Sequence, residues 1–490
     1  MRGGESAADA ETLLIQELKA RGDEAEPDRA LTATAAWALQ GAYDKRDVSD
    51  TKVITTTAQR FGFAGLVLGF VAGSLREQQA HLSLSELFAQ VPRNTRINRY
   101  GIVAGAGSDV AMVIGAVEAS LDDFARSAAP GSTLKLHGKV SERYERASVF
   151  FTSPEGSVRE LPMAARAIDA QVEFPSVGQY QIELMGYGAT GPVVLMNVPI
   201  QVGAPESETA DAAETEPADP TLTAEAAEAT LLTLLNEERK RRGLGAVEPD
   251  PELREIALAH SADMVQGGYF GHVSPTTGTP DDRVRKAHVR VSKAGECVAL
   301  ELTPARAHRG LLDSPAHRAA MLDPLYTHVG VGVAFVPDKV GQRRLNATLL
   351  FGRRAPKAEA RQSAAALIEA IQGYRKAQKL GPVRVDPVLT AVANAGSRVL
   401  AKGAATPQQV LAATQVEMQR QVNRTRVGRV ACRAFLEIID RYQLSTVPLL
   451  QRPELAGLGV GVAELGDESD PRLGVVLAVE AGPKQTLRCQ

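Results

Sequence analysis

Apolar side chains at Leu253, Ile256, Ala257 and Met264, with His260 among them, fall on one face at 3.6-residue spacing and predict a helix. Asp250-Pro251 opens that helix, with proline in its first turn. Before it, Ala224 to Arg242 predicts another helix, ending in an RKRRG run that lays basic charge over the C-terminus. Thr279-Pro280-Asp281-Asp282 repeats the cap, proline and acid grammar for a short helix, and Ser314-Pro315 starts one more. Two strands are expected at His328 to Phe335 and Arg344 to Phe351. Helices followed by strands within one block imply an α+β or three-layer domain.

The pattern differs upstream. Between Pro130 and Gly203 the runs TLKLHGKV, RASVFFT, GSVREL, AQVEF, YQIELMGY and PVVLMNVPIQV are separated by Gly, Pro and Ser. That spacing predicts an all-β, immunoglobulin-like sandwich. It contains no cysteine pair and no cluster of His or acids, so a spacer or accessory role is the expectation. Next comes APESETADAAETEPADPTLTA, with six acids and no base between Glu206 and Asp219. This stretch cannot bury enough apolar surface to offset its ordering entropy and reads as an acidic, flexible linker.

The block after the linker then recurs. Arg239-Lys240, Leu244-Gly245, Val247, Asp250-Pro251, Leu253, Ala257, Ala259, Ser261 and Gly267 match Arg375-Lys376, Leu380-Gly381, Val383, Asp386-Pro387, Leu389, Ala393, Ala395, Ser397 and Gly403 at constant offset. Gly330-Val331-Gly332-Val333-Ala334 returns as Gly459-Val460-Gly461-Val462-Ala463. The collinear match predicts a second, degenerate copy of one fold. A fainter echo opens the chain, where Glu26-Pro27-Asp28 and Leu31 parallel Glu248-Pro249-Asp250 and Leu253. The expected division is an N-terminal α+β domain over 1–128, the sandwich over 130–203, the linker over 204–223, and the two related blocks over 224–355 and 358–484.

Composition narrows the partners. The chain has 490 residues, 44% hydrophobic and 23% charged, with net charge -3, which gives no general attraction to nucleic acid or anionic membrane. The longest uncharged apolar run, Phe61 to Gly73, is too short to span a bilayer as a helix. MRGGESAADAETLL places acids where a signal peptide would carry its basic and apolar regions, so no leader is visible. Cys297, Cys432 and Cys489 allow at most one intrachain bridge, Cys432 with Cys489 being favoured because both lie in the last segment.

Six of the eight histidines, His260, His272, His288, His308, His317 and His328, lie between 260 and 328, while the C-terminal copy has none. One copy therefore carries the candidate chemistry and the other scaffolds. Imidazoles with a nearby carboxylate suit metal binding or acid–base work, although no His-Glu-x-x-His helix forces two of these rings together. His260, on the apolar helix face, reads as a satisfied core histidine; His288 and His308 read as solvated. His317 and Arg318 read as hydrogen-bonding around the helix start at Ser314, with His317 also able to line a cleft. Cys297 reads as a buried, inert thiol.

AHSADMVQGGYFGHVSP, AGECVALE, LLDSPAHRAAMLDPLYTHVGVGVAF and LNATLLFGRR, in this order after NEERKRRGL, resemble a bacterial CAP domain. This is the SCP-like superfamily of cysteine-rich secretory proteins, antigen 5 and plant pathogenesis-related proteins. The resemblance spans about Ala224 to Arg354. It implies a three-layer α-β-α sandwich with a cleft that gathers two histidines and acidic residues, and a divalent metal, zinc above all, in some members. By motif position it implies His272, Glu296 and His328 as cleft residues, with His272 and His328 as metal ligands and Ser314 and His317 nearby. The family's second acid precedes SPxHR, near a tryptophan; here Leu311 and Ser314 occupy that stretch, leaving Asp313 or Glu301 as substitutes. Cys297 stands where Asn is usual.

Two functions follow from the resemblance. One is a binding or interaction module for a lipid, peptide or cell-surface partner, in a secreted, periplasmic or surface protein. The other is a metal-assisted, protease-like hydrolase in which Glu296 activates a metal-bound water. Binding is favoured, since no nucleophile or oxyanion donor is evident.

Overall fold

A computed structural model describes residues 7–44, 51–74, 88, 91–105, 109–163, 165–203, 219–336, 343–354, 363–402, 405–425, 432–438, 441–465 and 472–481. Residues 204–218 of the expected linker lie outside these. The chain is mixed α+β and divides into two compact units, Met1–Ala287 with Gly295–Phe351, and His288–Ala294 with Gly352–Gln490.

In the first unit, the central α+β block follows its sequence signals closely. Thr223 caps the helix Ala224–Arg241, Asp250 caps Pro251–Gly267, and Thr279 forms a reciprocal capping box with Asp282 at Pro280–Lys286. Thr303 and Ser314 cap Pro304–Asp313 and Pro315–Met321, each with proline in the first turn. The strands are Glu248–Pro249, Ala294–Glu301, His328–Val336 and Arg344–Gly352. Taken in sequence as first to fourth, they lie side by side in the order first, third, fourth, second. On one sheet face Val329, Val331, Val333, Ala347 and Leu349 pack against Leu231 and Leu235 of the first helix. On the other, helix Pro251–Gly267 is pressed so close that a Cβ added to Gly330 would fall 2.1 Å from the Leu253 carbonyl carbon.

Arg239 pins the far end of this block. It is 1% exposed, and its guanidinium donates to the carbonyls of Gly245, Met321, Asp323 and Tyr326. Carbonyl dipoles on fixed loops satisfy a buried cation that would otherwise be costly.

The stretch before it forms two sheets rather than one. Ala167–Glu173, Thr133–Val140 and Ala119–Leu121 make one; Ser127–Ala128, Gly191–Val202, Gly178–Gly188, Tyr144–Thr152 and Val158–Pro162 make the other. Leu136, Ile168 and Val172 of the first share a core with Val149, Ile182 and Val198 of the second. The six expected strands are present, but pairing begins earlier than residue 130, because Ala119–Leu121 and Ser127–Ala128 add short edges.

The N-terminal α+β region has strands Glu26–Pro27, Leu66–Ser74, Arg99–Ala104 and Asp109–Ala116, and the second unit has Arg384–Val385, Cys432–Ile438, Leu455–Leu465 and Arg472–Ala481. Both sheets show the order first, third, fourth, second. Asp28 and Asp386 cap the helices Arg29–Tyr43 and Pro387–Leu400 as Asp250 does. Arg375, fully buried, donates to Gly381, Leu450, Arg452 and Leu455 carbonyls. Cys432 is disulfide-bonded and Cys297 is free; Cys489 lies outside the described residues.

Candidate functional site

His272 is set by the turn that ends helix Pro251–Gly267. Gly268 takes the left-handed conformation (φ 64°) that terminates the helix, and Gly271 (φ 149°) swings the chain inward. The imidazole then meets Glu296 on strand Ala294–Glu301, its Nδ1 lying 3.0 Å from Oε1. Arg283, from the short Pro280–Lys286 helix, donates to Oε2 of Glu296 and to the carbonyls of His272 and Gly278. Glu296 is therefore engaged at both oxygens with its side chain 2% exposed. Burial pushes its carboxyl toward protonation, but the hydrogen bond and charge of His272, with Arg283 and His260, hold it below the usual range.

His260 does sit on the buried helix face, yet it is more than core filling. Nε2 lies 3.0 Å from the Gly271 carbonyl and 3.9 Å from Glu296, while Nδ1 has no hydrogen-bond partner among the described residues. Desolvation lowers its pKa despite Glu296. His317, from helix Pro315–Met321, brings its ring centroid to 6.0 Å from that of His272. Ser314 caps its helix, and the Ser314 hydroxyl lies 2.9 Å from His317 Nδ1. Desolvation, then the neighbouring His272, lowers the His317 pKa to about 3, so the ring is neutral at ordinary pH. Cys297 is fully buried; desolvation and Glu296 push its thiol pKa up, and Sγ points to the His317 carbonyl at 3.8 Å.

His328 is not brought to this cluster. Its residue pairs with Glu248 in the parallel bridge; Nε2 lies 3.6 Å from the Glu248 carboxylate and Nδ1 2.8 Å from Thr327 Oγ1. The sheet order explains the displacement. The strands of His328 and Glu296 are separated by Arg344–Gly352, which puts them roughly 10 Å apart across the sheet. The expected metal pair, His272 with His328, does not form. The expected solvation of His308 is also corrected: it is 6% exposed with both ring nitrogens unpartnered among the described residues, and desolvation lowers its pKa to about 4.

Neither substitute acid joins the site. Asp313 pairs with Lys52 at 2.7 Å in an exposed position, and Glu301 lies at the other end of its strand from Glu296. Sequence reasoning missed the carboxyl that does arrive. Glu183, on the sandwich strand Gly178–Gly188, is fully buried, and its Oε1 accepts the Ala316 amide at 2.9 Å. Its Oε2 has no hydrogen-bond partner among the described residues. Burial raises its pKa to about 7, against the lowering effect of Ser314 and Ala316. The turn beside it is equally close: a Cβ on Gly191 would lie 2.8 Å from Val273 and 3.7 Å from the His272 Cβ. The run from Tyr180 to Met185 gave no signal of it: with Tyr180, Ile182 and Leu184 facing the core between the sheets, alternation places Glu183 on the opposite face, where a charged residue is expected to be solvated.

The zinc set does not fit these residues. His328 is remote, so His272 lacks its expected partner, and a cation near Glu296 would face the Arg283 guanidinium. Among the described residues no group of three or more His, Cys, Asp or Glu is arranged to hold a metal ion.

Residues 232–348 match the model of the cysteine-rich secretory protein family, CAP, which marks this segment as a CAP domain. It is 41% identical over 107 residues to a Bacillus subtilis (strain 168) protein described as the uncharacterized membrane protein YlbC. It is 37% identical over 106 residues to the uncharacterized protein YkwD of the same organism. These matches take in 22% and 21% of this chain, and only 31% and 41% of the two relatives. An extracellular SCP-domain protein from Bacillus anthracis str. Ames aligns over 45% of this chain and 82% of its own, at 21% identity and TM-score 0.25. No helix among the described residues is long and apolar enough to cross a membrane.

Proposed function

We propose that the protein is an extracytoplasmic interaction module, secreted, periplasmic or at the cell surface, whose CAP cleft serves binding rather than turnover. The observation that carries this reading is the engagement of Glu296: both oxygens are occupied, by His272 and Arg283, in a nearly closed setting. A general base must be reached by water, and the Glu296 side chain is 2% exposed. Glu296 instead acts as a keystone that joins the His272 turn to the sheet. The hydrolase reading draws less support for the same reason. Zinc or another divalent metal enters this proposal in no step, given the ligand set above.

The architecture agrees with an interaction role. Three α+β modules share one strand order, a capping aspartate at the equivalent helix start, and a glycine pressed on that helix at Gly101, Gly330 and Gly459. We read them as copies of one fold, near 1–128, 224–355 and 358–484, with an immunoglobulin-like sandwich between the first two. Only the middle copy carries a histidine cluster. The disulfide at Cys432 suits an oxidising compartment. The partner class remains a lipid, a peptide or a surface component.

The test is the full chain against a broad panel of fluorogenic peptides and esters, with added zinc and with chelator, alongside sedimentation with cell-envelope material and lipid vesicles. Saturable, chelator-insensitive binding without turnover, and no zinc-induced rise in melting temperature, are expected. Metal-dependent cleavage lost in Glu296→Gln with folding intact would establish the hydrolase instead.

A further inference from the structure

The turn that carries His272 is held from outside the CAP domain. Between helix Pro251–Gly267 and His272 the chain reads Gly268-Tyr269-Phe270-Gly271, and both glycines have positive φ (64° and 149°). Glycine has the most backbone freedom to lose, so a turn with one at each end keeps a fixed shape only if partners hold it. The CAP domain supplies some: the Gly271 carbonyl lies 3.0 Å from His260 Nε2, and Arg283 donates to the His272 carbonyl. The N-terminal module supplies others. The Arg93 N–H donates to the Gly268 carbonyl at 2.9 Å. Asn94 takes both backbone groups of Phe270, its Nδ2 donating to the carbonyl at 2.7 Å and its Oδ1 accepting the amide at 3.1 Å. A side-chain amide carries the donor and acceptor of a peptide unit, so Asn94 serves Phe270 as a neighbouring strand would.

Asn94 can do this because its own loop is fixed. The Thr95 N–H closes a turn onto the Pro92 carbonyl at 2.9 Å, and the Arg21 guanidinium donates to the carbonyls of Phe88, Val91, Pro92 and Thr95. Arg239 and Arg375 cradle loops of their own modules in the same manner. In the first module the cradled loop reaches across to the second. We propose that Asn94 is a positioning residue for the cleft: through this one amide the N-terminal module sets the turn that aims His272 at Glu296. The first module, which has no histidine cluster, thereby shapes the site of the module that has one. This role rests on the reading of His272 as a cleft residue, and it holds whether the cleft only binds or also turns over its ligand.

The test reads the full chain twice, by hydrogen exchange over residues 268–272 and by the rate at which diethyl pyrocarbonate modifies each histidine at about pH 8, mapped by mass spectrometry. Asn94 is exposed, so Asn94→Ala should fold as wild type does. It is expected to speed exchange across the turn and to raise the His272 rate roughly fivefold, which is what one net hydrogen bond is worth. Buried His308, on helix Pro304–Asp313, should keep its wild-type rate. Asn94→Asp keeps the acceptor for the Phe270 amide, loses the donor, and should fall between the two. Arg93→Ala, whose hydrogen bond to Gly268 is made by the backbone, should match wild type. Faster exchange with an unchanged His272 rate would mean that the CAP domain holds the turn unaided, and would overturn the proposal. So would unchanged exchange in Asn94→Ala, or an equal acceleration at His308, which would mark a general loosening. Neither readout needs a ligand, so the outcome stands apart from whether the cleft proves to be an interaction site.

Discussion

Arg283 and Glu296 meet as a buried pair, their side chains 5% and 2% exposed, at the point where a short helix is fastened to the edge strand of the CAP sheet. The same guanidinium holds the His272 carbonyl, so one cation fixes both the carboxylate and the backbone of the histidine it orients. The two residues are thirteen positions apart in sequence. Their meeting fastens the His272 turn to the sheet.

Removing one partner of such a pair strands a charge in low dielectric. Arg283→Ala should cost about 3–5 kcal/mol in denaturant unfolding. Arg283→Met combined with Glu296→Gln should cost less than Arg283→Ala, because the double variant leaves no buried charge unpaired. A double variant less stable than the single one would mean that the pair contributes more than the penalty of breaking it.

Glu183 should leave a mark on stability as a function of pH. Its pKa in the fold is raised from 4.5 to about 7, so its contribution is fully present below pH 4.5 and is lost as pH rises through 7. At pH 8 the burden is on the order of 3 kcal/mol. Glu183→Gln keeps an acceptor for Ala316 and should flatten the stability profile between pH 5 and 8, with the gain over wild type largest at pH 8. His317 and His308 act with the opposite sign. Their lowered values, about 3 and about 4, mean stability present above pH 6.5 and lost on acidification. Guanidinium titrations across this range check both limbs, and identical profiles for wild type and Glu183→Gln would remove the neutral-side assignment.

Two glycines should respond in opposite directions. Gly330→Ala would set its Cβ 2.1 Å from the Leu253 carbonyl carbon, backbone against backbone, with no flexible side chain to give way. A loss of at least about 1–3 kcal/mol is expected. Gly310 lies within the helix Pro304–Asp313, with nothing within 4 Å of an added Cβ. Gly310→Ala should stabilise by roughly 0.5–1 kcal/mol. Thermal unfolding of the two variants reads both effects.

The local grammar was legible in the residues. Asp250-Pro251, Thr279-Pro280 and Ser314-Pro315 announced helix starts that the structure keeps, because a capping side chain and a proline act within a few positions. The strand from His328 began where its pattern placed it. His272 and Glu296 were found through ordered motifs, and they do meet. His328 illustrates the limit. Its motif marked a strand start correctly, but the side chain answers to Glu248 on the neighbouring strand, which only sheet order could decide.

The sequence by itself determined the helix starts, the strand segments, the family of the middle block and its concentration of histidine, since caps, periodicity and composition are properties of neighbours along the chain. Tertiary structure alone decided that His317 rather than His328 stands opposite His272, and that the carboxyl beside Ser314 arrives from the sandwich as Glu183. Strand order and the packing of one module on another are set by burial of surfaces far apart in the chain. No spacing between residues 183 and 316 encodes the 2.9 Å that separates them.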